Sequence, residues 1–458
     1  MEKEEISLIL ENQKRFFASG KTLSLKYRLD NLKKLRSLIL DNEEEIMNGI
    51  WSDFHKPRFE VLSTEIRFVI KELNLAIRKL RKWSSRRWVW TPIVHFKATS
   101  HIIPQPYGQV LILSPWNFPF QLAFMPLIGA LAAGNCVVVK VSRQVPSTTR
   151  VMEKILNSFP GELVTFMCED HSVSEFLLNY KFDYIFFTGS TKIGKYVMQK
   201  AAENLIPVSL ELGGKNPCVI MEDARLDIAA KRIAWGKFMN AGQTCICPDY
   251  VLVHNSIKNQ FLDHIKNALD SFYGKNPEES DNFARIINSA NVKRLSGMID
   301  KSKIVIGGIT DPENCYMAPT VLMDVGPDDP VMQEEIFGPV IPVIGYNKTG
   351  EIYPILERFP KPLAVYVFTR SLKRAYSFLE TTRSGTAGIN DTVIQIASPY
   401  LPYGGVGSSG LGRYHGKKSF ETFSNMRSVI RKSNLFDITL RYPPYNKFKE
   451  WVIKVLMR

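Results

Sequence analysis

Short apolar runs alternate with helical segments between residues 109 and 211 of this 458-residue chain, and this alternation is the strongest constraint on its fold. The runs are 109–113, 136–141, 163–168, 184–188 and 208–211, and helices are predicted at 121–133, 147–157 and 193–204. Short buried strands separated by helices predict a doubly wound parallel sheet. Such a sheet binds a dinucleotide at the carboxyl ends of its strands.

A second alternating series follows residue 215. Strands are predicted at 250–254, 305–308, 364–369 and 386–390, and helices at 257–272 and 372–379. The simplest layout is two doubly wound α/β domains, which places any chemistry at the interface between them. Length allows this, because 458 residues can form two or three domains with substantial cores.

The remaining N-terminal region is predicted to be helical up to residue 81, because apolar positions recur at helical spacing. From 88 to 106 the spacing shifts towards two, which predicts a β-hairpin that leaves the body of the subunit. The N-terminus lacks the pattern of a secretory signal, and no run reaches the roughly 18 apolar residues of a spanning helix. With six scattered cysteines, these features favour a cytoplasmic protein, at most peripheral to a membrane.

The net charge of +14 raises the question of an anionic partner. Its strongest local source is the run from Arg78 to Trp88, where basic residues alternate with tryptophans. Such a run can face nucleic acid or anionic lipid, or it can be the solvated end of a helix that leads into the hairpin. The chain contains no nucleic-acid-binding motif, so we expect no nucleic-acid partner.

Cys245 lies in the stretch NAGQTCICP, between a Gly-Gln-Thr turn and a proline. An irregular segment of this kind can direct backbone amides and a thiol at the same small space. Glu211 precedes a glycine pair in LELGGKNP, and Asn117 lies between two prolines in SPWNFP. A thiol, a carboxylate and an amide are the groups that oxidation of an aldehyde through a covalent thioester requires.

The motifs PWNFP, LELGGKNP and NAGQTC occur in this order and closely resemble those of the aldehyde dehydrogenases. FTGSTKIG, EEIFGPV and LPYGGVGSSGLGRYHGKKSFETFS extend the match, which covers about residues 104–424. The last motif, with CPDY after Cys245, looks most like the class 3 or fatty-aldehyde branch. The resemblance implies a cofactor domain with a variant Rossmann fold that lacks GxGxxG, a catalytic domain and a β oligomerisation arm.

The resemblance assigns the catalytic roles. Cys245 would attack the aldehyde carbon, Glu211 would activate the water that hydrolyses the thioester, and Asn117 would stabilise the oxyanion with the Cys245 N–H. Cys247 does not directly follow Gln-Thr and is left either as a packing residue or as a thiol that traps oxidised Cys245. Two thiols lack the further ligands that zinc needs, so no metal is expected.

The cofactor is expected to be NAD or NADP. Lys140 matches the lysine that bonds the adenosine ribose, but Arg143 stands where the family commonly has the glutamate that holds the 2′-hydroxyl. Because arginine can pair with a 2′-phosphate, we expect NADP to be used at least as well as NAD. Further cofactor positions would be at the pyrophosphate (Gly189, Ser190 and Gly194) and at the nicotinamide riboside (Glu335 and Phe337).

The resemblance also places a group of residues around the aldehyde tunnel: Trp116, Leu122, Trp235, Met239, Ile246, Ile394 and Ile396. None of them is cationic, so the sequence favours apolar aliphatic or aromatic aldehydes over semialdehydes. Two other enzyme types remain open, a CoA-acylating enzyme and a semialdehyde dehydrogenase. A non-catalytic binding protein would be expected to lack Cys245, Glu211 or Asn117, and all three are present.

The expected layout has a cofactor domain (1–81 and 107–213), a catalytic domain (214–408), an arm (82–106 and 409–435) and a tail (436–458). The arm predicts a homodimer. In the tail, Phe448, Trp451, Val452, Val455 and Leu456 share one helical face, with Lys447, Lys449, Glu450, Lys454 and Arg458 largely around the other. This basic amphipathic helix predicts either contact with a membrane surface or packing against the partner subunit.

Overall fold

The structure is a computed structural model that describes residues 3–435 and 437–457. It is an α/β protein whose described residues form two large sheets, both mainly parallel, and two small antiparallel sheets, one of three strands and one of two. The doubly wound α/β class predicted from the alternating pattern is therefore correct. Met1, Glu2 and Arg458, which entered the expectations for the two termini, lie outside the described residues.

The first large sheet has six strands and carries the predicted dinucleotide-binding pattern. Its order is Gly410–Leu411, Val208–Leu212, Tyr184–Gly189, Gln109–Leu113, Cys136–Lys140 and Val164–Met167. All neighbours are parallel except Gly410–Leu411, which pairs antiparallel with Val208–Leu212. The strand order reverses beside Gln109–Leu113, so a crevice for a dinucleotide opens between this strand and Tyr184–Gly189.

Helices cover both faces of this sheet. They are Pro119–Ala133, Pro146–Leu156, His171–Asn179 and Thr191–Glu203, and the N-terminal region adds Lys3–Ala18, Leu25–Asp41, Glu43–Phe54, Arg58–Val61 and Arg67–Trp83. The helix Pro119–Ala133 is buried all round, begins at a proline and is followed by Gly134 at φ 100°. The helix His171–Asn179 was not predicted from the sequence, because its nine residues give only a short periodic pattern.

The second large sheet has seven strands. Its order is Ile304–Ile306, Thr320–Leu322, Val340–Tyr346, Tyr250–His254, Pro217–Ile220, Ala364–Phe368 and Thr386–Ile389. The sequence analysis missed Pro217–Ile220, Thr320–Leu322 and Val340–Tyr346. Prolines at 217 and 342 argue against a strand when the sequence is read alone, although strand starts and isolated interior positions accept them.

Five helices flank this sheet: Leu226–Phe238, Lys258–Tyr273, Ser289–Gly297, Ile352–Glu357 and Leu372–Thr381.

The predicted hairpin is present as Arg87–Val89 paired antiparallel with Ala98–Pro106, and Ser424–Lys432 adds a third strand. The basic run from Arg78 forms the end of the helix Arg67–Trp83 and the first of these strands. Lys417–Thr422 precedes the third strand, and Lys447–Leu456 forms the tail helix.

Candidate active site

The backbone before Cys245 adopts a strained path that its sequence explains. Asn240 and Ala241 have φ values of 53° and 50°, and Gly242 has 74°. A Cβ on Gly242 would lie 2.2 Å from the carbonyl oxygen of Gly338, so glycine is required there by contact as well as by φ. Strain of this kind persists only where the surroundings hold it, and it is concentrated at functional sites.

Two buried amide side chains hold the loop that carries Cys245. Gln243 donates to the carbonyl oxygens of Asn240 and Arg285 and accepts from the N–H of Ile287. Asn216, from the LELGGKNP motif, donates to the carbonyl oxygens of Cys245 at 2.7 Å and Cys247 at 3.0 Å. The cysteine loop is thus fixed from both sides by polar groups whose own hydrogen bonds are largely satisfied.

The Asn117 amide lies directly beside this loop. Its Nδ2 donates to the carbonyl oxygen of Gln243 at 3.0 Å, which engages one of the two N–H bonds. The backbone carbonyl oxygen of Asn117 accepts from Nδ2 of Asn240. Among the described residues, none accepts a hydrogen bond from the backbone N–H of Cys245. The Cys245 N–H and the second N–H bond of the Asn117 amide are therefore available as donors next to the thiol.

A fully buried ion pair contacts the segment that follows Asn117. Lys56 Nζ lies 2.9 Å from Glu65 Oε1, and Glu65 Oε2 accepts the N–H of Gln121. The same ammonium sits 3.8 Å from the ring centroid of Phe118. Because a buried pair is costly to break, it fixes the turn that positions Asn117.

Cys245 opens onto a cavity of about 230 Å³ that is almost entirely apolar. Among the predicted tunnel residues, the lining includes Leu122, Trp235, Met239, Ile246, Ile394 and Ile396. No charged side chain lines it among the described residues. Trp116 is not part of the lining, because its ring packs against Phe54 and against Phe337 instead.

Several lining residues were not predicted from the sequence: Ser63, Thr64, Phe68, Phe118, Gln121, Thr244, Val393, Ala397 and Tyr403. Ser63, Thr64 and Phe68 belong to the N-terminal helices, to which no chemistry could be assigned. Phe118, Thr244 and Tyr403 stand inside motifs that were recognised, PWNFP, NAGQTC and LPYGG, so their position in those motifs was an available signal.

Burial, together with the charge of Glu335, raises the pKa of the Cys245 thiol to about 12. Glu211 and Cys247 act in the same direction, whereas a hydrogen bond with Tyr403 lowers this pKa. The thiol is consequently protonated at neutral pH in this structure. A nearby base must therefore accept its proton before the sulfur becomes a strong nucleophile.

Glu211 lies at the end of the strand Val208–Leu212 and is only 4% exposed. Neither carboxylate oxygen has a hydrogen-bond partner among the described residues. Burial raises its pKa well above the usual range, and Arg413 opposes this shift. A carboxyl group with a raised pKa and free oxygens is suited to accept a proton near neutral pH.

Glu335 forms a second carboxylate beside the thiol. Burial and the charge of Asp249 raise its pKa to about 8, and a hydrogen bond from the N–H of Gly214 opposes this shift. A Cβ on Gly213 would lie 2.0 Å from Glu335 Oε2, so the glycine pair of LELGGKNP gives this carboxylate its space. The sequence analysis assigned Glu335 to the nicotinamide ribose, and its charge on Cys245 was not foreseen.

Cys247 points away from the cavity. Its Sγ lies 3.8 Å from the ammonium of the fully buried Lys237 and 3.6 Å from the carbonyl oxygen of Gly242. It is not among the residues that line the cavity. These contacts fit the packing interpretation of Cys247.

The predicted cofactor residues that belong to the six-stranded sheet and its helices lie at the carboxyl edge of that sheet. Lys140 ends the strand Cys136–Lys140, and Gly189 ends Tyr184–Gly189. Ser190 caps the helix Thr191–Glu203 by accepting from Ile193. The half-buried Lys140 ammonium donates no hydrogen bond to a described residue, and one oxygen of nearby Glu169 is also unpartnered, so ribose hydroxyls could satisfy both. These residues fit a dinucleotide.

The two glycines of GSTKIG also have a packing role. A Cβ on Gly189 would lie 2.5 Å from the Phe187 ring, and one on Gly194 would lie 2.5 Å from Leu212. Gly194 thereby brings the helix close to its neighbouring strand.

Arg143 is exposed, and its charge acts on Lys140 and Asp170. Phe337 has a φ of 51° and contacts Trp116.

The six-stranded sheet and the donors at its edge define a dinucleotide-dependent oxidoreductase. The model for the aldehyde dehydrogenase family matches residues 1–429 of this chain. The chain therefore belongs to the aldehyde dehydrogenase family, and it is an NAD(P)-dependent aldehyde dehydrogenase. This confirms the family, the enzyme class and the cofactor predicted from the motifs.

The chain is 40% identical over 442 residues to the 4,4'-diaponeurosporen-aldehyde dehydrogenase of Staphylococcus aureus, covering 96% of each chain. It is also 40% identical to the dimeric NADP-preferring aldehyde dehydrogenase of Canis lupus familiaris, with 96% and 98% coverage. A solved structure of Staphylococcus aureus AldH in a substrate-bound state superposes with a TM-score of 0.97, at 39% identity and 99% coverage of both chains.

Proposed function

We propose that the protein oxidises apolar aldehydes to carboxylic acids through a covalent intermediate on Cys245. The observation that carries the substrate class is the cavity of about 230 Å³ around the thiol, which no charged side chain lines among the described residues. A carboxylate-bearing semialdehyde would bury its charge there without a counterion, which is strongly unfavourable. The Staphylococcus aureus relative is named as a 4,4'-diaponeurosporen-aldehyde dehydrogenase, which supports an aldehyde as the substrate.

The proposed reaction begins when the Cys245 sulfur bonds to the aldehyde carbon. The thiol proton leaves for a carboxylate, and the carbonyl oxygen becomes negative. Asn117 and the Cys245 backbone N–H donate hydrogen bonds to that oxygen. Loss of one such donor costs on the order of 100-fold or more in rate.

When NAD(P) is bound, it supplies the acceptor for the hydride that leaves the thiohemiacetal carbon. The product on Cys245 is a thioester, which water then hydrolyses. Glu211 takes the proton from this water, and its raised pKa and unpartnered oxygens support the assignment. Glu335 is a second candidate for this proton transfer because its pKa is about 8 and its charge acts directly on Cys245.

We assign the cofactor contacts to the carboxyl edge of the six-stranded sheet. Lys140 would bond the adenosine ribose, and Arg143 would face its 2′ position. The N-terminus of the helix Thr191–Glu203, with Gly189, Ser190 and Gly194, would face the pyrophosphate. Glu335 and Phe337 would face the nicotinamide riboside. The carboxyl group of Glu335 would thus border both the cofactor and the thiol.

We further propose that the chain forms a dimer through the three-stranded arm. The arm exposes large apolar side chains, including Trp88, Trp90, Ile93 and Ile430. Exposed apolar patches of this kind mark interaction surfaces. One relative is named as dimeric, which supports the same assembly. In this layout 1–81 and 107–213 bind the cofactor, 214–408 carry the cysteine, and the arm comprises 82–106 and 409–435.

A substrate panel tests the proposed function. Purified protein is assayed with hexanal, benzaldehyde and succinic semialdehyde, each with NAD and with NADP. We expect the two apolar aldehydes to give much higher kcat/KM values than the semialdehyde. A preference for succinic semialdehyde would contradict the proposal. Product analysis with and without coenzyme A distinguishes a free acid from an acyl-CoA, because a CoA-acylating enzyme would turn over poorly without it.

A further inference from the structure

One polar group inside the apolar cavity reaches the thiol. The hydroxyl of Tyr403 lies 3.7 Å from Cys245 Sγ, within hydrogen-bonding range for sulfur. Among the described residues this sulfur is the only hydrogen-bond partner of the hydroxyl. When Cys245 is ionised, its sulfur can only accept a hydrogen bond, so the phenol must be the donor.

The position of this hydroxyl is fixed by the structure around it. The backbone of Tyr403 exchanges two hydrogen bonds with Tyr414, at 3.0 Å and 2.8 Å. Its ring stacks on His415 with centroids 5.1 Å apart and planes at 16°, and the residue is only 3% exposed. A donor held in this way loses little conformational freedom when the sulfur becomes charged.

The charged and titratable groups around the thiol make this donor important. Glu335, Glu211 and Cys247 all raise the pKa of Cys245 and thereby oppose the thiolate, while Tyr403 favours it. Burial together with Cys245, Glu211 and Tyr414 keeps the pKa of Tyr403 well above its usual range, so the phenol remains a neutral donor. His415 is also neutral, because burial lowers its pKa to about 3.

We propose that Tyr403 is a further catalytic residue, whose phenol donates a hydrogen bond to the sulfur of Cys245 and stabilises the thiolate that attacks the aldehyde. The phenol keeps its proton throughout, and the thiol proton passes to a neighbouring carboxylate. This inference rests on the proposed role of Cys245 as nucleophile. It adds a side chain to which the sequence motifs gave no role in the reaction.

The expected size of the effect follows from two opposing trends. Loss of a hydrogen bond that shifts the thiol pKa by about one unit reduces the thiolate population about tenfold. The remaining thiolate is more basic and therefore intrinsically more nucleophilic, which offsets about 40–50% of this loss on a logarithmic scale. The rate at neutral pH should accordingly fall about three- to fourfold in the absence of the donor.

The test uses Tyr403→Phe in the full-length protein. The rate of iodoacetamide alkylation of Cys245 is followed by mass spectrometry of its peptide, from neutral to alkaline pH. We expect the pH–rate curve to move towards alkaline pH by about one unit. We also expect kcat at neutral pH to fall, with recovery as the pH rises and with little change in the KM for NAD(P).

Tyr346→Phe is the matched control, because it removes a buried hydroxyl that donates to Ile220 in the seven-stranded sheet. It should leave the alkylation curve of Cys245 unchanged. If Tyr403→Phe also leaves that curve unchanged, Tyr403 serves only in packing and the inference is wrong. A fall in activity that is equal at every pH would overturn it too. Cys245→Ser separates the two proposals, since retained turnover in that variant refutes the nucleophile itself.

Discussion

The side-chain amide of Asn216 donates a 2.7 Å hydrogen bond to the carbonyl oxygen of Cys245, and its Oδ1 accepts from the N–H of Ala364. Asn216 therefore links the cysteine loop to the strand Ala364–Phe368. Asn216→Leu would leave two buried carbonyl oxygens and one N–H without this partner. Each unsatisfied group costs about 1–3 kcal/mol, so we expect the free energy of unfolding to fall by several kcal/mol. Urea denaturation measures this loss.

The same variant should lower kcat more than it weakens cofactor binding, because the displaced loop carries Cys245. Asn314→Leu provides a control, since the side chain of this exposed asparagine bonds only Asp311 among the described residues. Full kcat in Asn216→Leu would show that the loop holds its geometry without the amide.

The two neighbouring thiols should differ sharply on substitution. Cys245→Ser is expected to abolish dehydrogenase activity and preserve cofactor binding, because a hydroxyl is a far poorer nucleophile at neutral pH. Cys247→Ala should keep most of the activity, since its sulfur faces Lys237 and Gly242 rather than the cavity. Steady-state assays and cofactor fluorescence titration measure both effects. Loss of activity only on changing Cys247 would reverse the assignment.

Glu211→Gln is expected to stall hydrolysis of the thioester. Rapid-mixing experiments should then give a burst of NAD(P)H followed by slow turnover. Glu335→Gln is the comparison variant, because its carboxyl group is also close enough to act on the thiol. A burst in Glu335→Gln with normal turnover in Glu211→Gln would move the base to Glu335.

The activity should rise from neutral to alkaline pH. A base must be deprotonated to accept a proton, and the pKa values of both carboxyl groups are raised, that of Glu335 to about 8. The fraction of competent enzyme therefore increases as the pH passes through this value. The measurement is kcat/KM against pH, and a profile that is flat between neutral and alkaline pH would contradict the raised pKa values.

Arg143→Glu should shift cofactor use towards NAD. The substitution removes a positive charge from the place expected for a 2′-phosphate and supplies an acceptor for the 2′-hydroxyl. The ratio of kcat/KM for NADP to that for NAD is the readout. Arg150→Glu makes the same charge change on the following helix and should leave the ratio unaltered. An unchanged ratio in Arg143→Glu means that the guanidinium faces solvent.

Deletion of residues 446–458 tests the tail helix Lys447–Leu456. No residue of this helix is buried within the single chain, and Phe448 and Trp451 are 63% and 60% exposed. If the helix lies on a membrane surface, the deletion reduces binding to anionic liposomes at low salt and lowers activity on long-chain aldehydes most. Unchanged liposome binding with a weakened dimer, measured by sedimentation, would favour packing against the partner subunit.

The sequence by itself determined the elements that depend on local pattern. Alternating apolar runs predicted two α/β sheets, with five of the six strands of the first and four of the seven strands of the second. The positions of Cys245, Glu211 and Asn117 in their motifs identified the catalytic candidates. Gly242 could also be anticipated, because the turn before Cys245 needs a residue that accepts positive φ. These features depend on residues close together in the chain, so a linear reading can detect them.

Tertiary structure alone decided which distant side chains meet at the thiol. Tyr403 lies 158 positions from Cys245, and Ser63 and Phe68 come from helices that carry no chemical motif. Trp116 shows the opposite case: its motif predicted a position in the cavity wall, but in the fold its ring packs on Phe54 and Phe337. The pKa values of Cys245, Glu211 and Glu335 belong to the same category, because burial and neighbouring charges exist only after the chain has folded.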